Sequence, residues 1–141
     1  MRKVDELFER YGESHRNRTN KAIHWVCVPA IMWSVLAALW AASPMAAWAG
    51  VALATAFYLW LSLPIALGML VVSVAMIYPL NSLGSDTFFV AAVVFVVAWI
   101  GQFIGHAIEG RKPSFVEDVR FFLVGPAWLL SDLYRRLGVR Y

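Results

Sequence analysis

His15, His24 and His106 are the only imidazoles in this 141-residue chain, and each has amides or a carboxylate nearby in sequence. Gln102, His106 and Glu109 recur at i, i+4 and i+7, so on one helix they share a face. His15 and His24 are nine residues apart, about 180° around a straight helix, and face one point only if the chain bends between them. Arg16-Asn17-Arg18-Thr19-Asn20 suits such a bend, with Thr19 or Asn20 as N-cap of the helix that follows. Neutral imidazoles with carboxylate or amide oxygen suit Fe(II), Zn or Mn, whereas a lone cysteine, Cys27, makes no thiolate cluster and reads as a small packed residue. The competing reading is plain: His, Asn and Gln also gather at membrane interfaces because they are half-wet there, and Glu109-Gly110-Arg111-Lys112 is equally a helix end with snorkelling cations.

The elements that would position these groups follow from where charge is missing. The chain is 61% hydrophobic and 15% charged, against roughly 45–50% and about 25% in an ordinary soluble domain. A soluble domain this small needs more polar cover, and a net charge of +3 gives no basic surface for nucleic acid. Residues 22–85 contain no Asp, Glu, Lys or Arg, and neither do residues 87–108. At about 20 residues per crossing, these runs predict spans over 22–42, 45–61, 64–80 and 87–105. Ser43-Pro44, Ser62-Leu63-Pro64 and the stretch Pro79 to Asp86 supply the breaks. One span over 45–80 would be roughly 54 Å of helix, far too long. All 12 Lys and Arg lie outside the spans, which places both termini in the cytoplasm. Four crossings then bring the start of the first span and the end of the fourth to one face; an odd number would separate His24 from His106 by about 30 Å.

Both ends also carry structure. Val4, Leu7, Phe8 and Tyr11 form an apolar stripe, predicting an amphipathic helix over 2–13 on the membrane or on the bundle. Residues 114–137 have charged ends and an apolar centre broken by Gly125-Pro126, too short to span, which predicts an interfacial or re-entrant helical segment. Asp132 is expected to pair with Arg135 or Arg136 on a wet face. The predicted fold is all-α: a polytopic membrane four-helix bundle forming a single domain over 1–141. The seven Trp suit an interfacial belt or bundle packing. Ala37-Ala38, Ala41-Ala42 and Ala46-Ala47 offer small faces for helix contacts within one chain or in a homo-oligomer. The charged first 21 residues do not resemble a cleavable signal peptide, and the compact chain suggests a bacterial inner membrane, or the endoplasmic reticulum if eukaryotic.

Two separated motifs hold every histidine: Tyr11-Gly12-Glu13-Ser14-His15-x4-Asn20-x3-His24-x4-Pro29 and Gln102-Phe103-Ile104-Gly105-His106-x2-Glu109-Gly110-Arg111-x-Pro113, followed by Gly125-Pro126. Together they resemble, nearly end to end, the small membrane-protein family typified by the fungal 2-hydroxy-fatty-acid dioxygenase of the endoplasmic reticulum. The chain departs from the pattern at Val26-Cys27-Val28, where members often have glycine, and at Pro113-Ser114, where Pro-Ala is usual.

The resemblance implies an Fe(II)-dependent enzyme of fatty-acid α-oxidation that uses O2 to shorten a 2-hydroxy fatty acid by one carbon. It further implies that His15, His24 and His106 are the essential metal-binding residues, with Glu109 a fourth ligand or an acceptor that orients an imidazole. The carboxylate and hydroxyl of a 2-hydroxy acid suit chelation beside O2. Asn20 and Gln102 would supply supporting hydrogen bonds, and Arg16, Arg18, Lys21, Arg111 and Lys112 would attract the carboxylate head. The acyl tail would run between the spans. The rivals are a non-enzymatic lipid-binding or scaffold protein, a haem protein with His24 and His106 as axial ligands, and a proton-coupled exporter. The exporter is disfavoured because residues 22–85 hold no ionisable group except His24 at their edge.

Overall fold

The computed structural model describes residues 2–110 and 121–141, and these form six α-helices with no strand. The helices are α1 (Lys3–Glu13), α2 (Arg18–Ala42), α3 (Pro44–Leu61), α4 (Leu63–Ile77), α5 (Thr87–Glu109) and α6 (Val124–Leu137). Two short 3-10 turns, Tyr78–Ser82 and Gly84–Asp86, join α4 to α5. Four helical segments, Arg18–Ala42, Pro44–Leu61, Leu63–Ser82 and Gly84–Glu109, are long and apolar enough to cross a membrane. Their outer faces are apolar as well: Leu53 is 74% exposed, Val71 69% and Phe89 70%, which suits lipid and not water.

Single extended serines make the two tight turns. Ser43 (φ −168°) alone separates α2 from α3, and Ser62 (φ −167°) alone separates α3 from α4. Pro44 and Pro64 stand in the first turn of the new helices, where an N–H has no helical partner to lose. Charge marks the edge of the apolar stretch but not the edge of the helix, so two helices outrun their predicted limits. α2 starts at Arg18, four residues before the charge-free run, and its N-cap is Asn17 instead of Thr19 or Asn20. The Asn17 side chain accepts from the N–H groups of Thr19 (2.9 Å) and Asn20 (3.3 Å), satisfying orphan donors of the first turn. α5 continues beyond residue 105 to Glu109 and stops at Gly110, which takes the left-handed conformation (φ 79°) that glycine adopts without strain.

α2 and α5 pack against each other more extensively than any other pair. Gly101 and Gly105, four residues apart on α5, make this possible: a Cβ at Gly101 would meet Cys27 Sγ at 2.5 Å, and one at Gly105 would overlap Asn20 Oδ1 and lie 3.2 Å from His24 Cε1. This small-x3-small spacing lets backbones approach closely. Ala37 and Ala47 are fully buried where α2 meets α3, so these small residues serve packing within one chain.

α1 lies on the bundle, burying Val4, Phe8 and Tyr11 against α6. In α6, Gly125 and Pro126 lie in the first turn, so the helix opens at this pair; residues 114–120 of the expected interfacial segment fall outside the described residues. Tyr58 Oη donates to the Leu123 carbonyl and Tyr134 Oη to the Pro64 carbonyl, both at 2.7 Å, fastening α6 across α3 and α4. Asp132 pairs with both Arg135 (3.3 Å) and Arg136 (3.1 Å). It is nevertheless buried, not on a wet face, because α6 turns that side inward.

Gly105→Ala should lower the thermal unfolding temperature of the detergent-solubilised protein. Overpacking costs about 1–3 kcal/mol, which exceeds the roughly 1 kcal/mol that alanine gains over glycine in a helix. An unchanged or higher melting temperature would mean that α2 and α5 do not meet at this glycine.

Candidate metal centre

The turn between α1 and α2 reverses the chain and brings His15 onto His24, their ring centroids 4.2 Å apart. His106, from the last turn of α5, completes the group at 5.3 Å from His24 and 6.0 Å from His15. All three are buried, at 5%, 1% and 5% exposure respectively. Three imidazoles on one ion at about 2.0–2.1 Å would hold their centroids roughly 4.5–5.2 Å apart; as the rings stand, the His15–His24 pair is closer than that and the His15–His106 pair wider.

The rings are anchored from behind. His15 Nδ1 lies 2.6 Å from the Tyr11 carbonyl and His24 Nδ1 2.9 Å from the Asn20 carbonyl, each acceptor four residues back. A carbonyl only accepts, so Nδ1 must carry the proton in both rings, which leaves Nε2 as the lone-pair donor. His15 Nε2 is buried and has no hydrogen-bond partner among the described residues, the kind of orphan that a metal ligand presents before loading. Tyr11 also stacks on His15 (4.2 Å, 10°), and Trp128 closes the far side at 5.5 Å. In this conformation no set of three His, Cys, Asp or Glu side chains among the described residues has its donor atoms arranged to hold an ion. The residues fit a histidine-ligated metal in donor type and burial, whereas the rings would have to shift to close the set around one ion.

Glu109 does not join the rings. Its Oε1 accepts the Arg16 N–H (3.0 Å), and its Oε2 accepts the Asn17 N–H (2.8 Å) and the Asn20 side-chain amide (3.1 Å). Asn20 Nδ2 also donates to the Ser14 carbonyl (3.0 Å). The carboxylate thus pins the α1–α2 turn to the end of α5 through charge-assisted bonds. Gln102 is buried one turn from His106 and lines a cleft with Tyr11, Trp99 and Phe122. Lys21 lies over the Trp128 ring at 5.3 Å, and the Arg16 and Arg18 side chains are exposed. Arg111 and Lys112 fall outside the described residues.

The family model described as 2-hydroxy-palmitic acid dioxygenase Mpo1-like matches residues 1–137. The chain belongs to this family. No curated protein matches the chain, and no solved structure does either. In this member of the Mpo1-like family, the sequence alone singled out the three histidines, Asn20, Gln102 and Glu109. It passed over Tyr11, Asn17, Gly101 and Trp128 as parts of the site. The signals for two of them were present: Gly101-x3-Gly105 is a close-packing motif, and Tyr11 precedes His15 by one helical turn, as Asn20 precedes His24.

Burial and the neighbouring His24 together push the His15 imidazole from 6.5 down to about 4. A ring with a depressed folded pKa favours folding fully above its unfolded value and loses that contribution as protons bind the unfolded chain. The metal-free protein should therefore lose stability as pH falls from 6.5 towards about 4, and His15→Asn should flatten that slope in melting temperatures measured against pH. Equal slopes in the two proteins would show that His15 is not held neutral by its surroundings.

Proposed function

We propose that this Mpo1-like chain is an Fe(II)-dependent dioxygenase that converts a 2-hydroxy fatty acid and O2 into a fatty acid one carbon shorter. The observation that carries the reading is the meeting of all three histidines, drawn from two distant motifs, within 6.0 Å at one end of the bundle. The family name supplies the substrate class.

The reaction balances without another reductant. The bond between C1 and C2 breaks, C1 leaves as carbon dioxide, and C2 is oxidised to a carboxyl group. The four electrons released reduce O2, whose oxygen ends in the new carboxyl and in water. Bound ferrous iron would supply the open coordination positions and redox chemistry for O2.

The chain's own residues supply placement. His15, His24 and His106 would hold the metal, the first two through Nε2, with Nδ1–H directed to the Tyr11 and Asn20 carbonyls. Glu109 acts as a positioning residue in this reading, because both its oxygens already accept from the turn that carries His15. Lys21 and Arg18 provide positive charge near the substrate carboxylate. Tyr11 and Trp128 cover the rings and exclude water. A haem is less well accommodated, since His24 and His106 stand only 5.3 Å apart with the His15 ring beside both. On the positive-inside pattern, this site lies at the cytoplasmic face of the membrane.

The test is to supply the purified, Fe(II)-loaded protein with 2-hydroxypalmitate and O2 and to read chain length by mass spectrometry. The expected product is the fatty acid one carbon shorter, with turnover lost by at least about a hundredfold in each of His15→Ala, His24→Ala and His106→Ala, the upper end of what removing a metal's supporting groups costs. Unchanged substrate with wild-type protein that carries stoichiometric iron would leave the lipid-binding or scaffold reading in its place.

A further inference from the structure

We propose that the acyl tail descends along α2 into an apolar cleft between α2, α3 and α4, and that Gly50 and Leu39 at its far end set the longest chain accepted. This rests on the substrate class given above and adds where that substrate's length is measured.

The path begins at the histidines. His24, Val28 and Ile31 are spaced at i, i+4 and i+7 on α2, so they share a face. Val28 and Ile31 line a narrow open cleft, with about 30 Å³ of free space, together with Tyr11, Trp99 and Gln102. Tyr11 is the residue stacked on His15, so this cleft reaches the edge of the histidine cluster. A second cleft, with about 120 Å³ of free space, continues deeper, lined by Met32, Leu36 and Leu39 of α2, Gly50 and Ala54 of α3, and Ser73 of α4. Phe122 and Pro126 are walls of both, so the two clefts adjoin.

The chemistry of the deeper cleft selects hydrocarbon. Its only polar side chains are Tyr58 and Ser73. The Tyr58 hydroxyl donates to the Leu123 carbonyl (2.7 Å) and the Ser73 hydroxyl to the Met69 carbonyl (2.8 Å). Both protons are spoken for, so a carboxylate or carbonyl on an occupant would find no donor among these hydroxyls, at a cost of about 1–3 kcal/mol for each unpaired group. The upper cleft carries a buried amide, Gln102, on the way to the imidazoles. One polar head and one apolar tail is the shape this combination fits, unlike a two-tailed phospholipid.

Depth agrees. At 1.5 Å per residue, Met32 and Leu39 lie about 12 and 22 Å along α2 from His24. A tail reaching halfway through a hydrocarbon core of about 30 Å is about 15 Å long, which ends inside the second cleft. Its floor is narrow: a Cβ on Gly50 would stand 3.1 Å from Leu39 Cδ1. A larger side chain at residue 50 must displace Leu39 or enter the cleft, and a smaller one at residue 39 must lengthen it.

The test uses Gly50→Leu and Leu39→Ala, each confirmed monodisperse and helical in lipid nanodiscs, with 2-hydroxy acids from lauric to stearic length. Binding is measured by calorimetry and turnover by mass spectrometry. Gly50→Leu is expected to weaken the longest acids by about tenfold or more while sparing the shortest, and Leu39→Ala to move the preference the other way. A length profile that stays where it was in both folded variants, or affinity lost equally at every length, overturns the proposal. If wild-type protein binds these acids with a profile that shifts as described yet turns none of them over, the tail cleft stands and the dioxygenase reading falls.

Discussion

The carboxylate of Glu109 closes the molecule on itself. It stands at the last turn of α5 and accepts two backbone N–H groups from the turn before α2 and the side-chain amide of Asn20 in the first turn of α2, so the two ends of the membrane bundle are tied at one point. That tie holds only because an even number of apolar helices lies between residues 18 and 109. Everything at the histidine end follows from it. His15 can fold back on His24 because the turn that carries it is held from the far side, and His106 reaches both because it is one turn before Glu109.

The second requirement is close approach. A carboxylate and three imidazoles cannot share a small volume if the helices that bear them stand a full side-chain diameter apart. Gly101 and Gly105 remove that separation along α5, letting Asn20 and His24 settle against its backbone. α1 and α6 then cover the end with Tyr11 and Trp128, while Tyr58 and Tyr134 lock the cover to α3 and α4. A buried polar cluster within an apolar bundle is thereby screened from water on every side that α1, α5 and α6 occupy, which is the setting in which neutral imidazoles persist.

Much of this was legible beforehand, and the reasons are physical. Absence of charge over 22–85 and 87–108 reports directly on the bilayer, so the number of long apolar helices and the shared face of His24 and His106 could be read from it. Helix limits were less legible, because capping by Asn17 and Gly110 depends on local hydrogen bonds and not on hydropathy. Glu109 shared a helical face with His106, and the pattern alone left it as ligand or support. Only the fold shows both its oxygens taken by backbone N–H groups more than ninety residues away in sequence. Gly125-Pro126 marks a helix start, since proline is tolerated in the first turn of a helix. Tyr11 entered the sequence pattern as one apolar residue among four; its stacking on His15 needed the fold.

The central claim is that the three rings form one ligand set when metal is supplied. The most direct measurement is to strip the purified protein with chelator, titrate it with Fe(II) under anaerobic conditions, and record the iron X-ray absorption spectrum at the endpoint. One equivalent of iron in a histidine-nitrogen shell, lost in His106→Ala while the helical content persists, is the expected result. Iron bound with oxygen ligands alone, or bound equally well without His106, would contradict it.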